Sequence, residues 1–152
     1  MVAARILNDP GGVRAEGVTL MALGIAASIL NSWLDGLCRS VTWTEPVAFF
    51  VKLHLGDPGA AGAGAVAANT TRVAVTFSAA SGGAITNSAD IAWTNVPNAE
   101  TYSHVSFWDT VGPAGGTFLG SDDLAVSRLV AIGDNFTILA GDLDLAITPV
   151  AA

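Results

Sequence analysis

Short apolar runs separated by turn residues recur through most of this 152-residue chain. In residues 47–55 large apolar side chains occupy every second position, a period that is typical of a β-strand. The run stops at Gly56-Asp57-Pro58-Gly59, a strong turn signal. Later runs follow at about the 8–12-residue spacing of an all-β sandwich. They cover residues 72–77, 91–93, 102–108, 118–119, 124–132, 136–138 and 143–147.

This pattern predicts a mainly β fold, an antiparallel β-sandwich of jelly-roll type. Two sheets stacked face to face bury the residues on their inner faces. The glycine- and alanine-rich segment 59–69 has few side chains to pack, so we expect a flexible loop there. The predicted core consists of Phe49, Val51, Val75, Phe77, Trp93, Val105, Phe107, Phe136 and Ile138.

Before the first strand, the apolar spacing is helical. Leucines and an alanine recur at steps of three and four, which places them on one stripe of an amphipathic α-helix of about 18 residues. Thr19 is the expected N-cap. We expect an extended N-terminal arm over residues 1–17 and a single helix-plus-sandwich domain over residues 18–152. The stripe comprises Leu20, Leu23, Ala27, Leu30, Leu34 and Leu37, with Trp33 beside it.

Composition and charge exclude several classes of protein. Hydrophobic residues make up 51% of the chain and charged residues 12%, which argues against intrinsic disorder. The net charge of −7 has the wrong sign for binding nucleic acid. Residues 1–76 hold five acidic and five basic residues, whereas residues 77–152 hold eight acidic residues and only Arg128. The longest apolar run, residues 18–30, is shorter than the roughly 20 residues that span a bilayer, so we expect no membrane insertion.

Residues that could carry catalysis are few. His54 and His104 are the only histidines, and neither has metal-ligand spacing around it. The single cysteine, Cys38, cannot form an intrachain disulfide and suits a small buried side chain at the end of the helix. The acidic pairs 122–123 and 142–144 could contribute to a calcium site, but solvated surface carboxylates are the favoured interpretation. We therefore expect no catalytic residue, no cofactor and no metal ion.

A group of aromatic and acidic residues is the one candidate for ligand recognition. Exposed aromatic side chains can form platforms for sugars, although packing in the core or in a subunit interface is the favoured interpretation here. Alternation along the strand places Trp108 on the face opposite Phe107, so one of the two is expected to point outward. The candidate recognition surface comprises Tyr102, Trp108, Asp122 and Asp123.

In their order along the chain, six motifs resemble a known family. The chain looks like the small virion structural proteins of tailed bacteriophages, particularly those of actinobacteria, of the tail fibre or minor tail type. The resemblance covers about residues 28–150 and carries no catalytic residue. The motifs are VKLHLGDPG at 51–59, RVAVTF at 72–77, AWT at 92–94, ETYSHVSFWD at 100–109, GGTFLG at 115–120 and AGDLD at 140–144.

The resemblance implies a non-enzymatic, tail-associated virion component that is assembled in the bacterial host cytoplasm and acts through protein–protein contacts. Its expected partners are other virion proteins and further copies of itself, with a trimer as the leading stoichiometry. A capsid decoration protein that binds the major capsid protein is the alternative, followed by a module that binds a host surface glycan and, last, a hydrolase. The predicted assembly interface comprises Leu20, Leu23, Leu30, Trp33, Leu34 and Leu37.

Overall fold

A computed structural model describes residues 2–6 and 24–147 of the chain. Within these residues the chain forms ten β-strands and one α-helix. In chain order they are β1 (Val2–Ile6), β2 (Gly24–Ile25), α1 (Ala27–Arg39), β3 (Phe49–His54), β4 (Val73–Val75), β5 (Ala84–Thr86), β6 (Ile91–Trp93), β7 (Glu100–Trp108), β8 (Phe118–Val130), β9 (Phe136–Ile138) and β10 (Leu143–Ile147).

The strands form one large sheet and one small sheet. The large sheet has the order β4-β3-β7-β8-β1-β10-β5, with β2 also paired to β8, and the small sheet is the pair β6-β9. All pairings are antiparallel except that of β1 with β8, which is parallel. The prediction of a mainly β, sandwich-like fold with one helix is confirmed.

The core contains the predicted residues. Apolar side chains of β3, β7 and β8 form one cluster with those of β6, β9 and β10. Phe136 of the small sheet contacts Trp93, with ring centroids 5.8 Å apart, and Tyr102 of the large sheet, at 5.4 Å. Every predicted core residue is buried in this cluster except Phe49 and Phe77, which are partly buried and pack against it. The alternation of apolar residues therefore identified the inward face of the sheets correctly.

Most strand positions agree with the sequence pattern. Strands β6, β9 and β10 have the predicted bounds. The two predicted strands at 118–119 and 124–132 are instead one continuous strand, β8, which pairs with β7 along much of its length. Strand β5 was not predicted, because its three residues follow the turn Ser81-Gly82-Gly83 and present only one large apolar side chain.

The helix begins later than its periodicity predicts. It starts at Ala27, because Gly24 and Ile25 form β2 and pair with Ser121 and Gly120 of β8. Thr19, the predicted N-cap, lies outside the described residues. No helix in residues 24–147 combines the length and the hydropathy needed to cross a membrane.

Residues 2–6 are extended, as expected, and they are part of the large sheet. Strand β1 pairs with β10 over its whole length and with β8 at Ile6, opposite Leu124. The remainder of the predicted arm, residues 7–17, lies outside the described residues, so the division at residue 17 stays a prediction.

Candidate functional site

The outer face of strands β3 and β7 carries a buried polar cluster. The alternation of the strands places Lys52 and His54 opposite the core-facing residues, as predicted, but both are buried. Ser106 and Trp108 lie on the same face of the neighbouring strand, and Arg72 lies against them. The segment 56–72 packs on this face at Gly62 and Gly64, and its Ala67 joins the core cluster. The expectation that this segment has little to pack against is therefore wrong.

Three side chains of the cluster form a hydrogen-bond chain. The Nδ1 atom of His54 is 2.8 Å from the carbonyl oxygen of Gly64 and therefore carries the proton, because a carbonyl can only accept. Its Nε2 atom, 2.7 Å from Oγ of Ser106, then accepts the hydroxyl proton. The same Oγ accepts a hydrogen bond from Nε1 of Trp108 at 2.8 Å. Burial lowers the pKa of His54, which favours the neutral ring that this arrangement requires.

Arg72 closes the cluster over the indole of Trp108. Its guanidinium carbon is 3.8 Å from the ring centroid, the geometry of a cation–π contact. Its Nη1 atom donates to the carbonyl oxygen of Thr110 at 3.2 Å, to Oγ1 of Thr110 at 3.1 Å and to the carbonyl oxygen of Gly115 at 3.0 Å. These contacts fasten the end of the segment 56–72 to the β7–β8 connection.

The Ser106–His54 contact contains the hydroxyl and imidazole groups of a hydrolase dyad, but these groups are closed to substrate. Both residues are 0% exposed, so a substrate cannot reach the hydroxyl without displacement of the covering segment. The hydroxyl oxygen also accepts the indole hydrogen bond, which occupies a lone pair that a nucleophile would use. The arrangement is suited to holding the covering segment on the sheet.

Two glycines of this segment test how tightly it packs. Both have positive φ, +70° at Gly59 and +67° at Gly62. A Cβ at Gly62 would overlap the ring of Phe118 and lie 2.8 Å from Cζ2 of Trp108, whereas nothing lies within 4 Å of a Cβ at Gly59.

We expect Gly59→Ala to cost about 1 kcal/mol of unfolding free energy, from backbone strain alone. Gly62→Ala should cost about 1–2 kcal/mol more, because of overpacking.

Urea unfolding of the two variants measures this difference. The Gly59→Ala variant is the matched control, since it carries the same substitution at almost the same φ in open space. Equal unfolding midpoints for the two variants would mean that the segment does not pack on Trp108 and Phe118.

The predicted recognition surface is not exposed. Tyr102, Trp108 and Asp122 are 0%, 9% and 1% exposed, so the prediction is wrong for these three residues, and Asp123 is half-buried. Trp108 does point away from the core, as alternation requires, but the segment 56–72 covers it. The register of β7 against β8 shifts between Tyr102 and His104, and Tyr102 joins the core cluster.

Asp122 and Asp123 are neighbours on β8, where Asp122 is paired with core-facing Val105 and Asp123 with His104. No group of three or more potential metal ligands occurs among the residues that the structure describes.

The carboxyl group of Asp122 lies in an unusual environment. Its Oδ1 atom accepts a hydrogen bond from the backbone N–H of Asp123 at 3.0 Å, and its Oδ2 atom is buried with no partner in the described chain. Burial, reinforced by the neighbouring charge of Asp123, raises the pKa of Asp122 to about 8. The protonated form is therefore the main form of this residue in the folded protein at neutral pH.

The second candidate site is an exposed apolar surface along the helix. No residue of α1 is fully buried, although the helix carries the apolar stripe that the sequence predicts. Leu30 is half-buried, and Leu20 and Leu23 of the predicted interface lie outside the described residues. We call the exposed set the α1 surface; it comprises Ile25 (40% exposed), Trp33 (36%), Leu34 (42%), Leu37 (69%), Val41 (48%) and Val47 (95%). Cys38, predicted to be buried, is exposed beside it.

An open cavity of about 530 Å³ lies next to this surface. We call it the α1 groove: α1 and the segment 43–49 form one side, and strands β5, β8 and β10 contribute to the rest. Its lining is almost entirely apolar, and Glu45 is the only charged residue among the described residues that line it. The main large side chains that line it are Ile29, Trp33, Trp43, Phe49, Ile85 and Leu145.

Comparison with known proteins identifies the family. A family model described as podophage GP4 fiber I protein gp80 matches residues 24–146. The chain belongs to this family. The match spans the helix and nearly all of the strands, including both candidate sites. No curated protein matches the chain.

Membership of a phage fibre family implies a structural protein of the virion with a tail-associated role. It also agrees with the expectation of a chain that acts through assembly rather than catalysis. The more specific resemblance, to minor tail proteins of actinobacteriophages, stays a prediction.

Proposed function

We propose that this protein is a subunit of a bacteriophage tail fibre, without enzymatic activity, that assembles with copies of itself and with other virion proteins. The family match over residues 24–146 is the observation that carries the proposal. Assembly takes place in the host cytoplasm, and the trimer expected from the sequence is retained as the leading stoichiometry.

The distribution of exposed and buried groups supports an assembly role. The α1 surface presents six large exposed apolar side chains. Exposed apolar surfaces commonly mark protein–protein contacts. By contrast, the Ser106–His54 pair is sealed under the segment 56–72. The exposed apolar side chains on and near α1 are therefore available for contacts with a partner, whereas the serine–histidine pair is not available to a substrate.

The glycan-binding alternative loses its sequence support, because Tyr102 and Trp108 are buried and form no exposed platform. The capsid decoration alternative differs from the fibre proposal mainly in location and copy number, so an experiment on particles distinguishes the two.

Immunogold labelling of purified particles, combined with quantitative mass spectrometry of the same preparation, tests the proposal. We expect gold at the tail and a copy number from a few to a few dozen per particle. Gold over the whole capsid with hundreds of copies would overturn the fibre assignment in favour of decoration. Absence of the protein from purified particles would overturn a virion role altogether.

A further inference from the structure

No described residue forms a covering layer over the α1 surface. A 13-residue helix is marginally stable alone in water, and packing of its apolar face usually supplies most of its stability. Here the outer part of that face, at Trp33, Leu34 and Leu37, remains open. We propose that the α1 surface binds a second copy of this chain, with Leu34 and Leu37 of one copy inserted into the α1 groove of the other. This inference rests on the proposed assembly role and names the surface that carries it.

Charge favours a second copy as the occupant. The net charge of −7 makes most approaches between two copies repulsive. Around the helix this repulsion is small, because Asp35 and Arg39 form an ion pair at 3.0 Å and Glu45 is the only charged residue that lines the groove in the described part of the chain. The excess acidic residues are in residues 77–152, and none of them lines the groove. Two copies can therefore meet through their α1 surfaces with little repulsion.

Shape supports the same occupant. Leu37 follows Trp33 by four residues on α1, which is about one helical turn, so the exposed Leu37 side chain lies next to the part of the helix that lines the groove. The groove, at about 530 Å³, has room for several large side chains. A surface that carries both a projecting side chain and a groove can bind a second copy of itself. If each of two copies inserts Leu37 into the α1 groove of the other, a two-fold dimer forms. If each copy inserts it into the groove of the next, a closed ring forms.

The oligomeric state of the full chain tests the proposal. Sedimentation velocity over a range of concentrations should give a species of two or three copies for the wild type. We expect Leu37→Glu to raise the dissociation constant at least about tenfold, because the interface would have to bury an unpaired carboxylate. Leu129→Glu is the matched control: Leu129 is 76% exposed, compared with 69% for Leu37, and it lies at the far end of β8 from the groove residues 119–121.

The single cysteine provides an independent readout without any substitution. Cys38 is exposed and follows Leu37 directly. We expect its reaction with an aromatic disulfide reagent to slow several-fold as the wild-type concentration rises through the association range. A rate that is independent of concentration would contradict burial of this surface between copies.

The outcomes separate this inference from the proposed function. A wild type that stays monomeric at all concentrations, or an oligomer that Leu37→Glu leaves intact, overturns the self-association. The same holds if native mass spectrometry finds the monomer with a bound apolar molecule. A monomer that immunogold still locates at the tail overturns only this inference, whereas an oligomer that behaves as expected but is absent from particles overturns only the fibre assignment.

Discussion

Raising the pH from about 4 to about 8 is expected to remove on the order of 5 kcal/mol of stability through Asp122 alone. The folded-state pKa is about 8 and the ordinary value is 3.8, so in this interval the unfolded chain has lost the proton and the folded chain retains it. The folded state then binds more protons, and its stability falls by about 1.4 kcal/mol per pH unit. Below pH 4 both states are protonated and the contribution is complete, whereas above pH 8 both are ionised and the slope ends.

Asp122→Asn isolates this contribution, because the amide has nearly the same shape and does not titrate. We expect the slope of unfolding free energy against pH, measured by urea denaturation from pH 4 to pH 9, to flatten. At pH 8 the variant should be several kcal/mol more stable than the wild type. Asp134→Asn removes an exposed carboxylate and serves as the control, with the wild-type slope retained. A slope that Asp122→Asn does not change would show that this carboxyl group is solvated.

The sequence predicted the inward face of the sandwich well, because that face depends on local alternation. Strands β6 and β9 lie between clear turn signals, such as Gly133-Asp134-Asn135, and their bounds were predicted correctly. The helix start was misplaced because tertiary pairing overrode local periodicity. Gly24 and Ile25 fall within the predicted helix, yet they pair with β8 as a strand. Gly120 lets the two backbones approach so closely that a Cβ there would overlap Gly24.

The buried polar face could not be predicted from the local pattern. Lys52 and His54 alternate with apolar residues as solvent-facing residues do. Their burial depends on partners far away in sequence: Ser106 lies 52 residues from His54, and Arg72 reaches Thr110 and Gly115 across 38 and 43 residues. The same long-range packing buried Trp108 and removed the predicted recognition platform. The apolar stripe of α1, in contrast, was visible in the sequence, because nothing in the described chain covers it.

The two sheets are held together by one polar side chain as well as by the core. Asn87 is 1% exposed and lies in the connection from β5 to β6. Its Nδ2 atom donates to the carbonyl oxygens of Ala89 at 2.9 Å and Leu139 at 2.8 Å. Its Oδ1 atom accepts from the backbone N–H groups of Gly141 at 3.0 Å and Leu143 at 2.9 Å. The amide thus joins two of the four connections between the large sheet and the small sheet, β5 to β6 and β9 to β10.

Asn87→Ala is expected to lower the unfolding free energy by about 3–5 kcal/mol, because each buried backbone group that loses its partner costs about 1–3 kcal/mol. Gly141 and Leu139 keep other backbone partners, which limits the total. Asn135→Ala is the control: its Oδ1 atom accepts one hydrogen bond, from the backbone of Asn95 at an exposed turn, so we expect a loss of about 1 kcal/mol or less.

Hydrogen exchange locates the effect of Asn87→Ala within the fold. If the side chain fastens the small sheet to the large one, the amides of β6 and β9 should lose protection together while those in the centre of β7 retain theirs. A uniform loss of protection across all three strands would show that the amide supports the whole sandwich. A loss of unfolding free energy no larger than that of Asn135→Ala would contradict both roles. The joint opening of β6 and β9 is the expected result, because two of the four connections between the sheets, one at the end of each of these strands, converge on this one amide.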